Sequence, residues 1–190
     1  MRVIAGRLRG RRLAGPPAGV ALRPTADRTR QAIFDMLAHA PWAPGFAGVR
    51  VIDLFAGTGA YGIEALSRGA AMALFVEREA KAAETIRVNL AALALGPDVA
   101  RVLVADVARL GPPTGPPADI AFLDPPWGAD LATAGLAPLA AGWLAPGGLA
   151  LVETAAREDW EAPPGWTMSA DRRWGRARVT VLRLEGGVDR

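Results

Sequence analysis

The 190-residue sequence has no cysteine, a single histidine and a single lysine. Without cysteine there is no disulfide, no thiolate nucleophile and no cysteine-ligated zinc. His39 alone leaves imidazole catalysis and histidine metal sites almost nothing to build on, and it reads as a helix-end residue, so no metal is expected. No secretory apolar core follows Met1, because the first twelve residues are too charged for one. One uncharged run, Leu131 to Val152, is long enough to raise a membrane span, but it contains Pro138, Pro146 and four glycines. It reads as helix, turn and buried strand, and a cytoplasmic protein without membrane contact is expected.

What is present is ordinary globular composition, 51% apolar and 22% charged, in a chain long enough for one well-buried domain and an appendage. The net charge is only +3, and the sequence pI near 10.4 overshoots because little titrates between pH 7 and 10. The distribution is more telling. Residues 1 to 30 hold eight arginines (Arg2, Arg7, Arg9, Arg11, Arg12, Arg23, Arg28, Arg30) against Asp27 alone, so the rest of the chain is net negative. The basic charge is an N-terminal arm, and arginine's planar fork suits phosphates. A solubilising tail, or a general preference for Arg over Lys, would read the same way.

Residues 2 to 13 alternate loosely between apolar and basic positions, with Gly6 and Gly10 as breaks and Gly15-Pro16-Pro17 as a stop, which suits a short hairpin or an extended arm. A helix follows, with Thr25 as N-cap, Asp27 in its first turn, Ile33, Phe34, Leu37 and Ala40 on its apolar face, and Pro41 and Pro44 to end it. From residue 49 short apolar runs alternate with amphipathic segments. Strands are expected over 49–54, 72–76, 101–105, 120–123 and 149–153, and helices over 59–68, 79–93 and 131–141. Repeated β-α-β implies a parallel, doubly wound sheet with helices on both faces. Two further strands, 165–169 and 177–184, joined through residues 171–175, suit an antiparallel hairpin at the sheet's edge, for seven strands in all. Residues 111–117 read as a Pro/Gly spacer.

Asp53-Leu54-Phe55-Ala56-Gly57-Thr58-Gly59 sits where the first strand of this sheet meets its first helix, the place where doubly wound sheets bind ligands. Gly57, Gly59 and Gly62 also fit G-x-G-x-x-G, with Glu77 about 20 residues on, so a dinucleotide enzyme must be weighed. Asp53 argues against it, since a carboxylate beside a pyrophosphate is repelled, whereas S-adenosylmethionine (AdoMet) offers an ammonium and a sulfonium. Nor is there a convincing hydride-transfer acid, because His39 and Lys81 lie in helical patterns away from the strand ends. With AdoMet, Glu77 suits the ribose hydroxyls and Asp106 the adenine amine, the lesser alternative for Asp106 being a helix or turn cap. Phe55, Ala56, Gly57, Thr58, Gly59, Arg78 and Val107 complete the expected cofactor contacts.

Asp124-Pro125-Pro126-Trp127 ends the fourth strand of the series. A carboxylate, carbonyls stiffened by two prolines and a flat ring form a holder for an amino group on a planar base. The same residues would also describe an ordinary strand-to-loop exit. If the strand order reverses between the first and fourth strands, Asp124 faces the sulfonium end of the cofactor.

Taken with Val3-Ile4-Ala5-Gly6, Arg9-Gly10-Arg11-Arg12-Leu13 and Leu22-Arg23-Pro24-Thr25 through Asp27-Arg28, these motifs resemble the RsmD-type family of bacterial 16S ribosomal RNA guanine-N2 methyltransferases. Departures are Ala5, where a second glycine is usual, and Trp127, where Tyr or Phe is usual. The resemblance implies a class I AdoMet-dependent methyltransferase domain, Rossmann-like, over residues 26–190, with an RNA-contacting arm over 1–25. It implies Asp124, Pro125, Pro126 and Trp127 as the catalytic holder, and phosphate contacts by Arg2, Arg7, Arg9, Arg11, Arg12, Arg23, Thr25 and Arg28. The expected partner is 16S ribosomal RNA, free or within an assembling small subunit, and the expected acting unit is a monomer. Rival readings are a DNA adenine or cytosine amino-methylase, a protein glutamine methylase, a non-catalytic RNA-binding module and a dehydrogenase. The DNA enzymes often carry a separate base-reading region, for which this chain has no room.

Overall fold

The computed structural model describes residues 1–15, 24–127 and 130–186, with side chains from Arg28 onward in the second stretch. Helix α1 (Pro24–His39) precedes β1 (Arg50–Leu54), α2 (Ala60–Ser67), β2 (Met72–Glu77), α3 (Ala80–Ala92), β3 (Ala100–Val104) and β4 (Ala118–Leu123). Then come α4 (Leu131–Pro138), β5 (Leu144–Ala155), β6 (Trp166–Trp174) and β7 (Ala177–Leu184). The seven strands form one sheet in the order β3-β2-β1-β4-β5-β7-β6. Neighbours from β3 to β5 run parallel, as the β-α-β alternation requires, and β7 runs antiparallel to both β5 and β6. The order reverses between β1 and β4, which opens a crevice at the carboxyl ends of those two strands.

Both faces of the sheet are covered, so its central strands are apolar on both sides. One core joins Val51, Phe75, Phe122 and Leu151 to α1, α2, α3 and the N-terminal segment; the other joins Ile52, Val76, Leu123 and Val152 to Leu136, Leu139, Trp143 and Trp160. The N-terminal segment is the hairpin allowed by its pattern. Val3 donates to the Arg11 carbonyl at 3.0 Å, Gly10 to Val3 at 2.9 Å and Leu13 to Met1 at 3.1 Å. It is docked rather than free, since Val3, Leu8 and Leu13 are buried in the first core. Buried Glu64 of α2 accepts the amides of Ile4 at 2.7 Å and Ala5 at 3.0 Å while holding Arg68 Nε at 2.8 Å.

Several expected boundaries move, each for a local reason. Helix α1 already includes Pro24, whose fixed φ and missing N–H suit the first helical position, so Thr25 lies inside the helix rather than capping it. Helix α4 ends at Pro138, and a π turn, Leu139–Trp143, closes on Gly142 with φ 115. Strand β5 starts five residues before the expected Leu149, because Leu144 pairs with Ala118 across a register shift. Residues 171–174, expected as loop, continue β6 and pair with β7, leaving Gly175 and Arg176 as a two-residue turn. The hairpin does sit at the sheet's edge, with β6 outermost.

Candidate active site

The parity of the strands brings the acidic residues together. Val51, Phe75, Phe122 and Leu151 all face the first core, and the residue two further along each strand is Asp53, Glu77, Asp124 and Glu153. Side chains two apart share a face, so four carboxylates emerge toward α1 and α2 at the carboxyl ends of four adjacent strands. Because Leu123 pairs with Val152 in β5, Asp124 and Glu153 are next-door neighbours across the ladder.

Burial gives this cluster its electrostatics. Asp53 is 2% exposed and accepts the Gly62 amide at 2.9 Å. Loss of water pushes its pKa well above the ordinary carboxylate value; the Gly62 bond opposes that, Asp124 and Glu77 add to it, and the guanidinium of Arg30 opposes it. Arg30, itself buried, reaches out of α1 and donates to the Arg2 carbonyl at 2.8 Å.

Glu77 braces the glycine loop. One carboxylate oxygen accepts the Gly57 amide at 2.8 Å and the other the Glu79 amide at 2.8 Å. That bracing offsets strain at Phe55, a non-glycine held at φ 61, while Gly57 and Gly59 take their positive φ freely. Asn89 of α3 holds the Thr58 carbonyl at 3.0 Å from behind. Ala56 and Thr58 are buried and Phe55 is half-buried. Asp106 is exposed and accepts the Ala108 amide at 3.0 Å, so it does act as a cap, on a 3₁₀ turn that buries Val107. Arg78 is exposed and pairs with Glu79 at 3.5 Å.

In the holder stretch, Asp124 and Pro126 are exposed, Pro125 is buried and Trp127 is half-buried. The Arg176 guanidinium, from the β6–β7 turn, lies 6.0 Å from the Trp127 ring centroid. Three residues join the site that sequence reasoning did not single out: Arg30, Tyr61 and Glu153. Tyr61 donates to Glu153 Oε2 at 3.2 Å and stacks on Phe122 at 5.3 Å between centroids. Burial lifts the Tyr61 pKa, and Asp124 and Glu153 raise it further. The β alternation of 149–153 already put Glu153 on the face of Leu151, but its neighbour across the sheet is known only from the strand order.

Arg2, Arg7, Arg9, Arg11, Arg12 and Arg28 are all exposed, the first five on the hairpin, where Arg11 also donates to the Ala92 carbonyl at 2.7 Å. Arg23 and the side chain of Thr25 lie outside the described residues. A recess at the opposite, amino end of the strands is lined by Arg50, Leu74, Arg101, Pro116 and Trp143 and by no carboxylate, so it is separate from this chemistry. Among the described residues no cluster of His, Cys, Asp and Glu could hold a metal ion, and no helix is long and apolar enough to cross a membrane.

Residues 1–183 match the family model described as "Conserved hypothetical protein 95". The chain belongs to this family, the RsmD-type family indicated by its motifs. A curated relative of this RsmD-type chain, the ribosomal RNA small subunit methyltransferase D of Escherichia coli K12, is 42% identical over 96 residues, 50% of the chain and 46% of the relative. The chain thus spans about half the length of that curated relative in the match. A solved structure from Escherichia coli, the candidate methyltransferase yhhF, is 34% identical and superposes with a TM-score of 0.83 over 98% of both chains. At the level of the fold alone, the RsmD-type chain resembles the magnesium protoporphyrin IX methyltransferase of Synechocystis, solved with bound SAM, at 16% identity and TM-score 0.61 over 83% of this chain and 79% of that one.

Proposed function

We propose that this protein transfers a methyl group from AdoMet to the exocyclic N2 amine of a guanine in 16S ribosomal RNA. The observation that carries the reading is the placement of Asp124-Pro125-Pro126-Trp127 beside the Asp53–Gly59 loop at the sheet's switch point. The residues present suit the cofactor. Asp53 and Asp124 offer negative charge to a ligand bearing an ammonium and a sulfonium, the loop glycines admit close backbone approach, and Glu77 and Asp106 lie at the next two strand ends as acceptors for ribose hydroxyls and the adenine amine. Phe55, Ala56, Thr58, Arg78 and Val107 would frame the rest of that ligand.

When bound, AdoMet supplies the electrophilic methyl and leaves as a neutral thioether. The chain must hold the nucleophile, whose lone pair is delocalised into the purine ring. Asp124 and the Pro125 carbonyl accept hydrogen bonds from the amine, favour a pyramidal nitrogen and aim its lone pair at the methyl, while Pro126 keeps the segment stiff. Trp127 stacks on the base. The amine becomes acidic as it is methylated, and Asp124 or water takes the proton. The base must leave its stack to enter, which suits a ribosomal RNA loop.

In this reading residues 1–25 serve as the RNA-gripping element, with Arg2, Arg7, Arg9, Arg11, Arg12, Arg23, Thr25 and Arg28 as the proposed phosphate contacts, and residues from 26 onward as the catalytic domain. The cytoplasmic monomer is the proposed acting form. The test is transfer of labelled methyl from AdoMet to undermodified small-subunit RNA, small subunits, DNA and protein in parallel, with the labelled residue identified. N2-methylguanine in the RNA or subunits is expected; label only in DNA or protein overturns the proposal, and RNA binding without transfer indicates a non-catalytic module.

A further inference from the structure

We propose that Glu153, oriented by Tyr61, reads the ring edge beside the target amine and makes the site selective for guanine. The inference deepens the methyl-transfer reading and rests on it. Three nucleobases carry an exocyclic amine. In adenine the ring nitrogen next to that amine is a bare acceptor, and in cytosine it is the same. Guanine alone places a ring N–H, N1–H, beside its amine. A holder with a second acceptor next to Asp124 therefore distinguishes guanine from the other two by hydrogen-bond polarity.

The structure provides that second acceptor. Asp124 and Glu153 follow the paired residues Leu123 and Val152, so their backbones are one strand spacing apart, about 4.8 Å, and their side chains leave the same face. An ionised carboxylate is acceptor-only, so Glu153 can receive N1–H while Asp124 receives the amine, but it repels the N1 lone pair of adenine or the N3 lone pair of cytosine. Tyr61 fixes the aim. Its hydroxyl donates to Glu153 Oε2 at 3.2 Å, and its ring packs against both Phe34 and Phe122, which limits where the hydroxyl can sit. Tyr61 and Glu153 line a small recess with Ile33, Phe122, Leu123 and Leu151, whose walls are otherwise apolar or aromatic. The Tyr61 bond engages one oxygen of Glu153, and a carboxylate has acceptor sites on both oxygens, so acceptor capacity remains for a ring N–H. By its place beside Asp124, Glu153 is the specificity-determining residue of this proposal, and Tyr61 the positioning residue.

The experiment compares the mapped target guanine with 2,6-diaminopurine at the same RNA position, introduced by ligation. Diaminopurine keeps the 2-amine but presents N1 as an acceptor. Wild-type protein should reject it. Glu153→Gln preserves side-chain size and an acceptor for Tyr61 while adding a donor. It should lower kcat/KM on guanine by about 10- to 100-fold and raise the diaminopurine-to-guanine ratio by at least about 10-fold. Tyr61→Phe, which keeps the ring stack, should relax the same ratio less while AdoMet affinity stays unchanged, and it carries the comparison if Glu153→Gln does not fold. Equal losses on both bases, or a wild-type protein that uses both equally well, would overturn the role of Glu153 with methyl transfer intact. Wild-type label that appears on no guanine overturns the underlying reading, and this one with it.

Discussion

Gly6 of the N-terminal hairpin lies flat against Ser67 of α2, so closely that a Cβ on Gly6 would overlap the Ser67 carbonyl. The Ser67 hydroxyl donates to the Ala5 carbonyl and accepts the Leu8 amide at 3.0 Å, so one side chain holds both flanks of the hairpin's tip. Gly6 also has φ 77, where a side chain is strained.

Gly6→Ala should therefore lift the hairpin off α2, at a cost of at least about 2 kcal/mol from the combined strain and overlap. Amide exchange at Val3, Gly10 and Leu13 should quicken, and RNA affinity should fall while AdoMet affinity changes little. Unchanged exchange at those amides would show that the hairpin tolerates the shift.

Burial makes the charge on Asp53 costly to the fold. Burial raises its folded pKa above the unfolded value, so the folded protein binds the proton more tightly, and stability falls as pH rises from the unfolded pKa to the folded one. Asp53→Asn keeps an acceptor for the Gly62 amide and removes the charge. The variant should match or exceed wild-type stability at neutral pH, with the gap widening as pH rises through the acid range, yet bind AdoMet at least about 10-fold more weakly. Urea midpoints from pH 4 to 8 and calorimetric titration check both halves.

Asp124 is exposed, and its removal should leave the fold intact. Asp124→Ala is expected to lower kcat by about 100-fold or more, as for other groups that stabilise developing charge, with AdoMet affinity within about threefold of wild type. Single-turnover rates with saturating cofactor decide it, and undiminished methylation would remove Asp124 from the reaction.

Gly62 allows α2 to touch β2. A Cβ there would come within 2.7 Å of Phe75 Cζ, and Phe75 is fully buried and has no room to turn. Gly62→Ala should cost about 1–3 kcal/mol and lower Tm by roughly 2–4 °C per kcal/mol, with weakened cofactor binding because the Gly62–Asp53 bond moves with the helix. Thermal unfolding with and without AdoMet separates the two effects.

The positions of the Asp124–Trp127 stretch and of the glycine loop are legible because each is a contiguous signal at a strand end, and the β-α-β alternation locates those ends to within a residue or two. Tyr61 and Glu153 are not, since they are 92 positions apart and meet only because β4 lies between β1 and β5. The extent of β6 was hidden for a different reason. Asp171, Arg172 and Arg173 look like a turn by composition, but an edge strand exposes one face and its outer rim to water and tolerates such charge. The hairpin's docking was masked by its arginines, which drew attention from the three apolar residues it buries. Arg30 was counted with the basic arm, yet it points inward to balance the carboxylates.

Strand β7 follows both β5 and β6 in the chain, yet its place is inside the sheet, between them. Until it arrives, the apolar edge of β5 from Leu149 to Val152 stands open, a template for pairing with other nascent chains. Synthesis on the ribosome therefore cannot yield a closed sheet before residues 177–184 have emerged, and chaperone dependence should be greatest in that interval. The sheet of a protein proposed to act on ribosomal RNA would thus stay open on the ribosome until β7 has emerged.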